Sequence, residues 1–203
     1  MPIIEVFADV RCPFTHVGLR RLVDRRRSAR AGAVLQVRAW PLELVNGAPM
    51  DVELVGEEVR ALREQVTPDL FAGFSPEAFG ITSLPALALT ATAYERGLQT
   101  GEAVALALRW AVFEEGRDVG DPAVLGEIAG AHGVTWLDGD GSERVLDEWH
   151  EGRDRGVVGS PHFFVGGEGW FCPVLDIAHD SGGFRIRESA PAFDTLLERA
   201  ALS

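Results

Sequence analysis

The chain has 203 residues, of which 46% are hydrophobic and 25% are charged, as is typical of a globular protein. Its formal net charge of −12 arises from 31 acidic and 19 basic residues, and every basic residue is arginine. This balance argues against binding to nucleic acid or to an anionic membrane surface, because both need a positively charged footprint. At about 150 residues per domain, the length allows one domain or one domain with a large insertion.

The cysteine content and the N-terminal segment indicate the cellular compartment. The two cysteines, Cys12 and Cys172, are too few for a disulfide framework or a four-ligand zinc site, and the histidines show no metal-ligand spacing. The first ten residues lack the basic and apolar regions of a signal peptide, and no apolar run reaches the ~18 residues of a membrane span. We therefore expect a cytoplasmic protein with reduced thiols, no metal and no membrane partner.

The first forty residues predict a β-α-β unit. The apolar run Ile3–Ala8 predicts a buried strand, and residues 13–31 predict a helix that begins at Pro13 and stops at Gly32. Residues 34–40 alternate as a second strand. Because the crossover between the two strands is a long helix, the strands are predicted to be parallel.

The remainder of the chain predicts a helical block followed by a hairpin. Helical patterns without intervening strands cover residues 51–65, 83–96, 101–115, 121–132 and 142–156. Short strands at 162–165 and 170–174 flank a glycine-rich turn, and a helix is predicted over 190–201. The predicted fold class is α/β, in the order β-α-β, helical insert, β-β-α. Residues 1–45 and 157–203 form one domain of this scheme, and residues 46–156 form an inserted helical subdomain.

The segment Cys12-Pro13-Phe14-Thr15-His16 lies where the first strand meets the first helix. The carboxyl ends of strands are where open α/β sheets bind ligands, and a helix N-terminus carries partial positive charge. Such a position can lower the pKa of a thiol from about 8.5 toward 3.5–7.5, which favours a reactive cysteine over an inert buried one. Thr15 lies one helical turn after Cys12, so its hydroxyl can donate to the sulfur.

A second candidate segment is Ser160-Pro161-His162, at the start of a late strand. Proline is permitted at a strand start, and a cis bond there would turn the Ser160 backbone toward the neighbouring strand. His162 points either into the same cleft or out of the sheet. Trp40, at the end of the second strand, either walls a pocket or packs in the core. His16 either acts on the Cys12 proton or faces solvent.

Together these features resemble the DsbA-like branch of the thioredoxin superfamily. The resemblance rests on the Cys12–Thr15 motif after a strand, on Gly159-Ser160-Pro161 before an apolar strand, on the helical insert, and on residues 110–118. It implies a thioredoxin fold in which Cys12 is the nucleophile and Thr15 stabilises its thiolate. With the positional arguments above, the substrate-binding residues that we expect are Pro13, Phe14, His16, Trp40, Ser160, Pro161 and His162.

Thr15 stands where that family usually has its resolving cysteine. The resemblance therefore implies a monothiol thiol–disulfide oxidoreductase, in which Cys12 attacks a mixed disulfide and a small thiol resolves it. Glutathione or another low-molecular-weight thiol is the expected co-substrate, with no tightly bound cofactor, and a small thiol or a protein disulfide is the expected partner. Cys172 is either a packed core thiol or a substitute resolving partner, although two strand spacings place it roughly 10 Å away.

Two alternatives remain open. The same branch contains kappa-class glutathione transferases and 2-hydroxychromene-2-carboxylate isomerases, which usually carry serine at the position of Cys12 and have a similar Ser-Pro loop. The resemblance to them implies a glutathione-type transferase, or a cis-trans isomerase of a small aromatic compound. The other alternative is a non-catalytic binding module in which Cys12 is inert. The oligomeric state is also open, with a homodimer as the alternative to a monomer.

Overall fold

The computed structural model describes residues 2–29, 33–137 and 139–202. Six strands and eight helices occur in these residues, with a short 3-10 turn at Pro76–Ala78. In chain order they are β1 (Ile3–Ala8), α1 (Pro13–Ala29), β2 (Val34–Ala39), α2 (Leu42–Asn46), α3 (Val52–Gln65), α4 (Leu84–Glu95), α5 (Leu98–Phe113), α6 (Pro122–Ala131), α7 (Ser142–Asp154), β3 (His162–Val165), β4 (Glu168–Phe171), β5 (Leu175–Asp180), β6 (Gly183–Glu188) and α8 (Ala190–Leu202). The predicted end of the first helix at Gly32 lies outside the described residues.

The main sheet has four strands in the order β2-β1-β3-β4. β1 and β2 are parallel, with Ile3 opposite Val34, as the long crossover helix predicts. β3 runs antiparallel to β1, with Val6 opposite Phe163, and β4 runs antiparallel to β3. This arrangement places the end of β1 beside the start of β3, so it brings the two candidate segments together.

Both faces of the sheet are covered. On one face, Ile4 and Val6 pack with Leu19 and Leu22 of α1 and with Leu196 of α8. On the other face, a separate cluster forms next to α7 and contains Phe7, Trp40, Val157 and Phe164. Burial on both faces explains why the last three residues of β1, Val-Phe-Ala, are all apolar rather than alternating with polar residues.

The predicted helical block is present as α3 to α7. Asp51 and Asp121 cap α3 and α6 through their side chains, which accept from backbone N–H groups of the first turn. α5 begins at Leu98, three residues before its predicted start at Gly101, which lies inside the helix against the Tyr94 ring. No helix in the described ranges combines the length and hydropathy needed to cross a bilayer. The domain boundaries at 45 and 157 stay a prediction.

The C-terminal region differs from the predicted β-β-α pattern, because a second hairpin, β5–β6, stands between β4 and α8. Ile177, Phe184 and Ile186 pack against the cluster that contains α3. Gln65 of α3 fixes the hairpin: its Nε2 donates to the Phe184 carbonyl oxygen at 2.9 Å, and its Oε1 accepts from the Ile186 N–H at 2.8 Å. The sequence contains a signal for this hairpin, because Leu175 and Ile177, like Phe184 and Ile186, alternate with charged residues as in a half-buried strand.

Candidate functional site

Cys12 lies immediately before the first residue of α1, in the short loop that follows β1. The backbone N–H of His16 donates to the Cys12 carbonyl oxygen at 3.2 Å, which makes Cys12 the N-cap residue of α1. The Cys12 side chain is only 3% exposed. The candidate nucleophile therefore lies at a helix N-terminus, as predicted, but in a closed environment.

Ser160 and Pro161 lie directly against Cys12. The Cys12 thiol donates to the Ser160 carbonyl oxygen at 3.2 Å, and the Ser160–Pro161 peptide bond is cis. The Asp9 N–H donates to Ser160 Oγ at 2.9 Å, which ties this loop to the end of β1. Antiparallel pairing of β3 with β1 thus joins two segments that are almost 150 residues apart in the chain.

Thr15 links the Ser160 hydroxyl to the thiol. Thr15 Oγ1 lies 2.9 Å from Ser160 Oγ, and the Thr15 side chain also hydrogen-bonds Cys12. Because Ser160 Oγ already accepts from the Asp9 N–H, its own proton is free to be donated to Thr15. The Thr15 proton can then be donated to the sulfur, in the orientation that a thiolate needs.

Burial dominates the ionisation of the thiol. Desolvation raises the pKa of Cys12 above its usual value, while hydrogen bonds from the side chains of Thr15 and Ser160 act in the lowering direction. The expectation that the helix N-terminus gives Cys12 a lowered pKa is therefore wrong for the resting chain. The physical reason is that a charged sulfur in this closed cleft would lose its hydration, and the neighbouring dipoles do not fully replace it.

A buried polar network supports the loop from behind. The Asp9 carboxylate accepts from Ser83 Oγ at 2.6 Å, from the Arg11 N–H at 2.8 Å and from the Leu42 N–H at 2.7 Å. The Arg11 guanidinium donates to the Gly80 carbonyl oxygen and lies over the Phe79 ring. These contacts hold the residues before Cys12 in one conformation.

Arg109 of α5 contributes a buried positive charge. Its guanidinium donates to the carbonyl oxygens of Ala105 at 2.8 Å and Asp9 at 3.2 Å, and the side chain is almost fully buried. Desolvation lowers the pKa of Arg109 to about 10, and the charges of Asp9 and Cys12 act in the raising direction. Arg109 is therefore a source of positive potential near the thiol that the sequence did not single out.

Glu58 of α3 is a second charged group that the sequence analysis missed. Burial raises the pKa of Glu58 to about 7, and its negative charge raises the pKa of Cys12. A signal for it exists in the sequence, because Glu58 occupies the apolar stripe formed by Val55, Val59 and Leu62. A carboxylate among the core-facing positions of an amphipathic helix is unusual, because glutamate is seldom buried without a partner.

His16 does not face solvent, which corrects one of the two predicted placements. The ring is 5% exposed, packs against Phe71 and Phe113, and places Nε2 2.7 Å from Glu114 Oε1. Desolvation lowers the pKa of His16, although Glu114 opposes that shift. Glu114 also accepts from the N–H groups of Phe71 and Ala72, so His16 belongs to a buried hydrogen-bonded cluster, and its substrate-binding role stays a prediction.

Trp40 and His162 are not brought to Cys12. Trp40 is 3% exposed and packs in the cluster with Phe7 on the α7 face of the sheet. The His162 ring stacks on Phe164 in that same region, and its Nδ1 accepts from the Val158 N–H. The alternation of side chains along a strand directs both to the opposite face of the sheet, and their substrate-binding roles stay a prediction.

Pro13 and Phe14 lie beside the thiol in sequence but differ in exposure. Pro13 is buried at the first position of α1, where its missing N–H leaves no hydrogen bond unmade. Phe14 is partly buried and packs against the helical cluster that includes Val55 and Val59. Phe14 therefore faces the apolar core of the helical block.

Cys172 is a free, buried thiol on the other side of the Ser160-Pro161 loop. Its N–H donates to the Pro161 carbonyl oxygen at 2.9 Å, and its side chain is 7% exposed. Desolvation raises the pKa of Cys172 to about 12, and the Cys12 charge acts in the same direction. Its packing in the apolar cluster agrees with the prediction of a core thiol.

Both the sequence and the fold of this chain are similar to those of known proteins. The family model of the DSBA-like thioredoxin domain matches residues 3–176, whereas no curated protein matches the sequence significantly. A probable DsbA oxidoreductase from Streptomyces coelicolor is 17% identical and superposes with a TM-score of 0.69 over 98% of this chain and 90% of its own. The cytosolic disulfide reductase DsbM from Pseudomonas aeruginosa, solved with GSH, is 15% identical, with a TM-score of 0.60 over 98% and 96%.

A 2-hydroxychromene-2-carboxylate isomerase is also similar, with 16% identity and a TM-score of 0.59 over 83% of this chain and 88% of its own. At these identities the likeness establishes the fold alone. The predicted thioredoxin fold with a helical insertion is thus confirmed. Because the family model covers most of the sequence, the chain belongs to the family of DSBA-like thioredoxin domains.

Proposed function

We propose that this chain is a cytoplasmic monothiol thiol–disulfide oxidoreductase in which Cys12 exchanges with a mixed disulfide. The observation that carries the proposal is the position of the Cys12 sulfur, at the N-terminus of α1 and 3.2 Å from the carbonyl oxygen before cis-Pro161. An extended substrate that pairs with this backbone segment would have its disulfide sulfur next to Cys12. Glutathione or another low-molecular-weight thiol serves as the co-substrate.

The exchange balances without a second protein cysteine. The Cys12 thiolate attacks one sulfur of a disulfide R–S–S–R′, the S–S bond breaks, and R′–S⁻ leaves and takes up a proton. A small thiol then attacks the mixed disulfide on Cys12, restores the Cys12 thiol and leaves with R as a new disulfide. During the attack, the Thr15 hydroxyl donates to the thiolate, and Arg109 offsets its charge.

Burial of the thiol supports the reductive direction. A strong thiol oxidant of this kind needs a reduced form that is stabilised by a low thiol pKa. Here desolvation raises the pKa of Cys12, so the reduced form has no such stabilisation relative to the mixed disulfide. The chain is therefore proposed to reduce mixed disulfides at the expense of a small thiol, and the similarity to the disulfide reductase DsbM of P. aeruginosa supports this direction.

The test is reduction of the mixed disulfide of glutathione and 2-mercaptoethanol by reduced glutathione, coupled to glutathione reductase and NADPH. We expect turnover by the wild type and by Cys172→Ser, and loss of turnover in Cys12→Ser. Cys172 is the matched control because it is the other buried free thiol. Turnover that persists in Cys12→Ser would overturn the proposal.

A glutathione-type transferase is the second candidate, favoured by the hydroxyl groups around Cys12. With a raised pKa, Cys12 is a thiol at neutral pH and can donate a hydrogen bond to a bound thiolate, with Thr15 beside it. A serine hydroxyl at position 12 could donate the same hydrogen bond to a bound thiolate. Cys12→Ser therefore separates the two candidates: it abolishes disulfide exchange but retains conjugation of glutathione to 1-chloro-2,4-dinitrobenzene if the transferase assignment holds.

A further inference from the structure

A cavity with a volume of about 210 Å³ lies between α1 and α5. Its apolar lining consists of Leu19 and Val23 from α1 and Leu106 and Ala107 from α5. Neither the Cys12 thiol nor the cis-proline loop lines this α1–α5 cavity. Because an apolar cavity of about 150 Å³ can hold benzene, the α1–α5 cavity has room for a body the size of one ring.

Three arginines also line the α1–α5 cavity, namely Arg20 and Arg27 from α1 and Arg109 from α5. Among its lining residues in the ranges 2–29, 33–137 and 139–202 there is no aspartate or glutamate. The cavity between α1 and α8 differs, because Arg25 there is paired with Asp194 at 2.8 Å. In a chain with a net charge of −12, the α1–α5 cavity is therefore a local concentration of positive charge.

Two of these guanidinium groups have donors that are not used. Arg27 is exposed and forms no hydrogen bond or ion pair with the other residues that the structure describes. The Arg109 side chain is only 1% exposed, and its terminal nitrogens donate to the Ala105 and Asp9 carbonyl oxygens. Its Nε has no acceptor in the described part of the chain. A buried N–H without an acceptor costs free energy, which a ligand oxygen in the cavity would recover.

Arg20 and Trp110 form the rim of the α1–α5 cavity. The guanidinium carbon of Arg20 lies 5.8 Å from the centroid of the Trp110 ring, and Trp110 is 43% exposed. Arg20 Nε donates to the Asp24 carboxylate at 3.2 Å, so one of the three positive charges is paired and two are left. His16 also lines the cavity, but its Nε2 lies 2.7 Å from Glu114 Oε1 and is already used. Two uncompensated positive charges beside an apolar surface match a dianion that carries an apolar group.

We propose that the α1–α5 cavity binds a phosphomonoester dianion with a small apolar body. The phosphate oxygens accept from the Arg27 guanidinium and from Arg109 Nε, and the apolar body lies against Leu106 and the Trp110 ring. Arginine suits this ligand, because its planar fork donates to two phosphate oxygens at once. A monocarboxylate would neutralise only one of the two uncompensated charges. The inference goes beyond the proposed function, since this binding needs neither the Cys12 thiol nor a disulfide.

The experiment adds phenyl phosphate at constant ionic strength and at about pH 8, where the phosphate group is a dianion. Proton–nitrogen correlation spectra follow the indole N–H signal of Trp110, which Trp110→Phe identifies. We expect a saturable shift of this signal, with a dissociation constant at least about 10-fold higher in Arg27→Gln. Arg60→Gln is the matched control and should bind as tightly as the wild type, because Arg60 is an exposed arginine of α3 without an ion pair in the described residues. An equal dissociation constant in Arg27→Gln and the wild type would overturn the proposal.

Phenol and inorganic phosphate test the two parts of the ligand separately. Each lacks one set of contacts, so each should bind at least about 10-fold more weakly than phenyl phosphate. Phenol that binds as tightly as phenyl phosphate would overturn the assignment of an anion site. Inorganic phosphate that binds as tightly would overturn the assignment of an apolar body.

Ala107→Phe tests the location of the ligand, because the larger side chain fills the α1–α5 cavity. A folded Ala107→Phe variant should lose the saturable shift, and retention of tight binding in it would overturn the proposal. Arg27 is exposed, so Arg27→Gln keeps the proposal testable if Ala107→Phe does not fold. A chain that binds phenyl phosphate in this way but reduces no mixed disulfide loses the proposed function alone.

Discussion

Replacing Thr15 by valine tests the hydrogen-bond chain that ends on the thiol. Valine keeps the shape of threonine but removes the hydroxyl that lies 2.9 Å from Ser160 Oγ and hydrogen-bonds Cys12. A hydrogen bond to a charged group contributes about 1.5–3 kcal/mol, and one pKa unit corresponds to about 1.36 kcal/mol. Loss of this bond should therefore raise the pKa of Cys12 by about 1–2 units beyond its already raised value.

The assay is the pH dependence of Cys12 alkylation in the Cys172→Ser background, followed by intact mass. Above neutral pH, where thiolate reacts directly, the Thr15→Val rate at a fixed pH should fall about 10- to 100-fold, in proportion to the thiolate fraction. Thr92→Val is the control, because the Thr92 hydroxyl bonds the Ala88 carbonyl oxygen within α4. An unchanged or lowered pKa of Cys12 in Thr15→Val would refute the role assigned to this hydroxyl.

Three further changes test the packing and the buried charges by urea unfolding. Glu114→Ala leaves His16 and two backbone N–H groups unpaired and should cost about 3–5 kcal/mol, whereas Glu115→Ala, at an exposed pair, should cost less than about 1 kcal/mol. Because burial raises the folded pKa of Glu58 to about 7, the wild type should lose up to about 3 kcal/mol relative to Glu58→Gln as pH rises from 4 to 8. Gly152→Ala should cost about 1–3 kcal/mol, since its Cβ would lie 2.8 Å from the Trp40 ring.

Each of these predictions has a clear contrary result. Equal costs for the alanine variants of Glu114 and Glu115 would show that the buried cluster around His16 contributes no stability. A pH-independent difference between wild type and Glu58→Gln would mean that the folded chain does not hold the Glu58 proton more tightly than the unfolded chain. Gly126→Ala is the control for Gly152, because its Cβ would meet open space, so equal effects would contradict the packing argument.

The fold and the position of the nucleophile follow from local patterns in the sequence. An apolar run before Cys12, a helix that begins at Pro13 and a proline at the start of β3 suffice to bring Cys12 and Pro161 to one edge of the sheet. Strand pairing then puts Ser160 against the thiol. These features are short in range or depend on topology alone, so a single sequence contains them.

The protonation of the thiol could not be predicted in this way. The helix N-terminus is a local feature, but the burial that outweighs it depends on segments distant in the chain, such as the loop of Ser160 that contacts the thiol. Similarly, the local sequence allows a surface position for His16, whereas the helical block places Glu114 and Phe113 over its ring. Long-range packing decides burial, and burial decides the charge of these groups.

The face of the sheet on which the side chains of Trp40 and His162 lie depends on strand register. Trp40 and His162 follow or begin strands on the same edge as Cys12, which suggested a shared cleft. A side chain at a strand end points to one face or the other according to its register, and a shift of one residue reverses the face. Here both point to the α7 face, where Trp40 packs with Phe7 and His162 stacks on Phe164.

The most direct measurement is the intact mass of the folded chain after incubation with oxidised glutathione, followed by peptide mapping without reduction. If Cys12 is the exchange nucleophile, the wild type and Cys172→Ser should each gain one glutathione, located on Cys12, and Cys12→Ser should gain none. The adduct should disappear when reduced glutathione is added in excess. A chain that stays unmodified, or that carries the adduct on Cys172, would contradict the assignment of Cys12 and with it the proposed function.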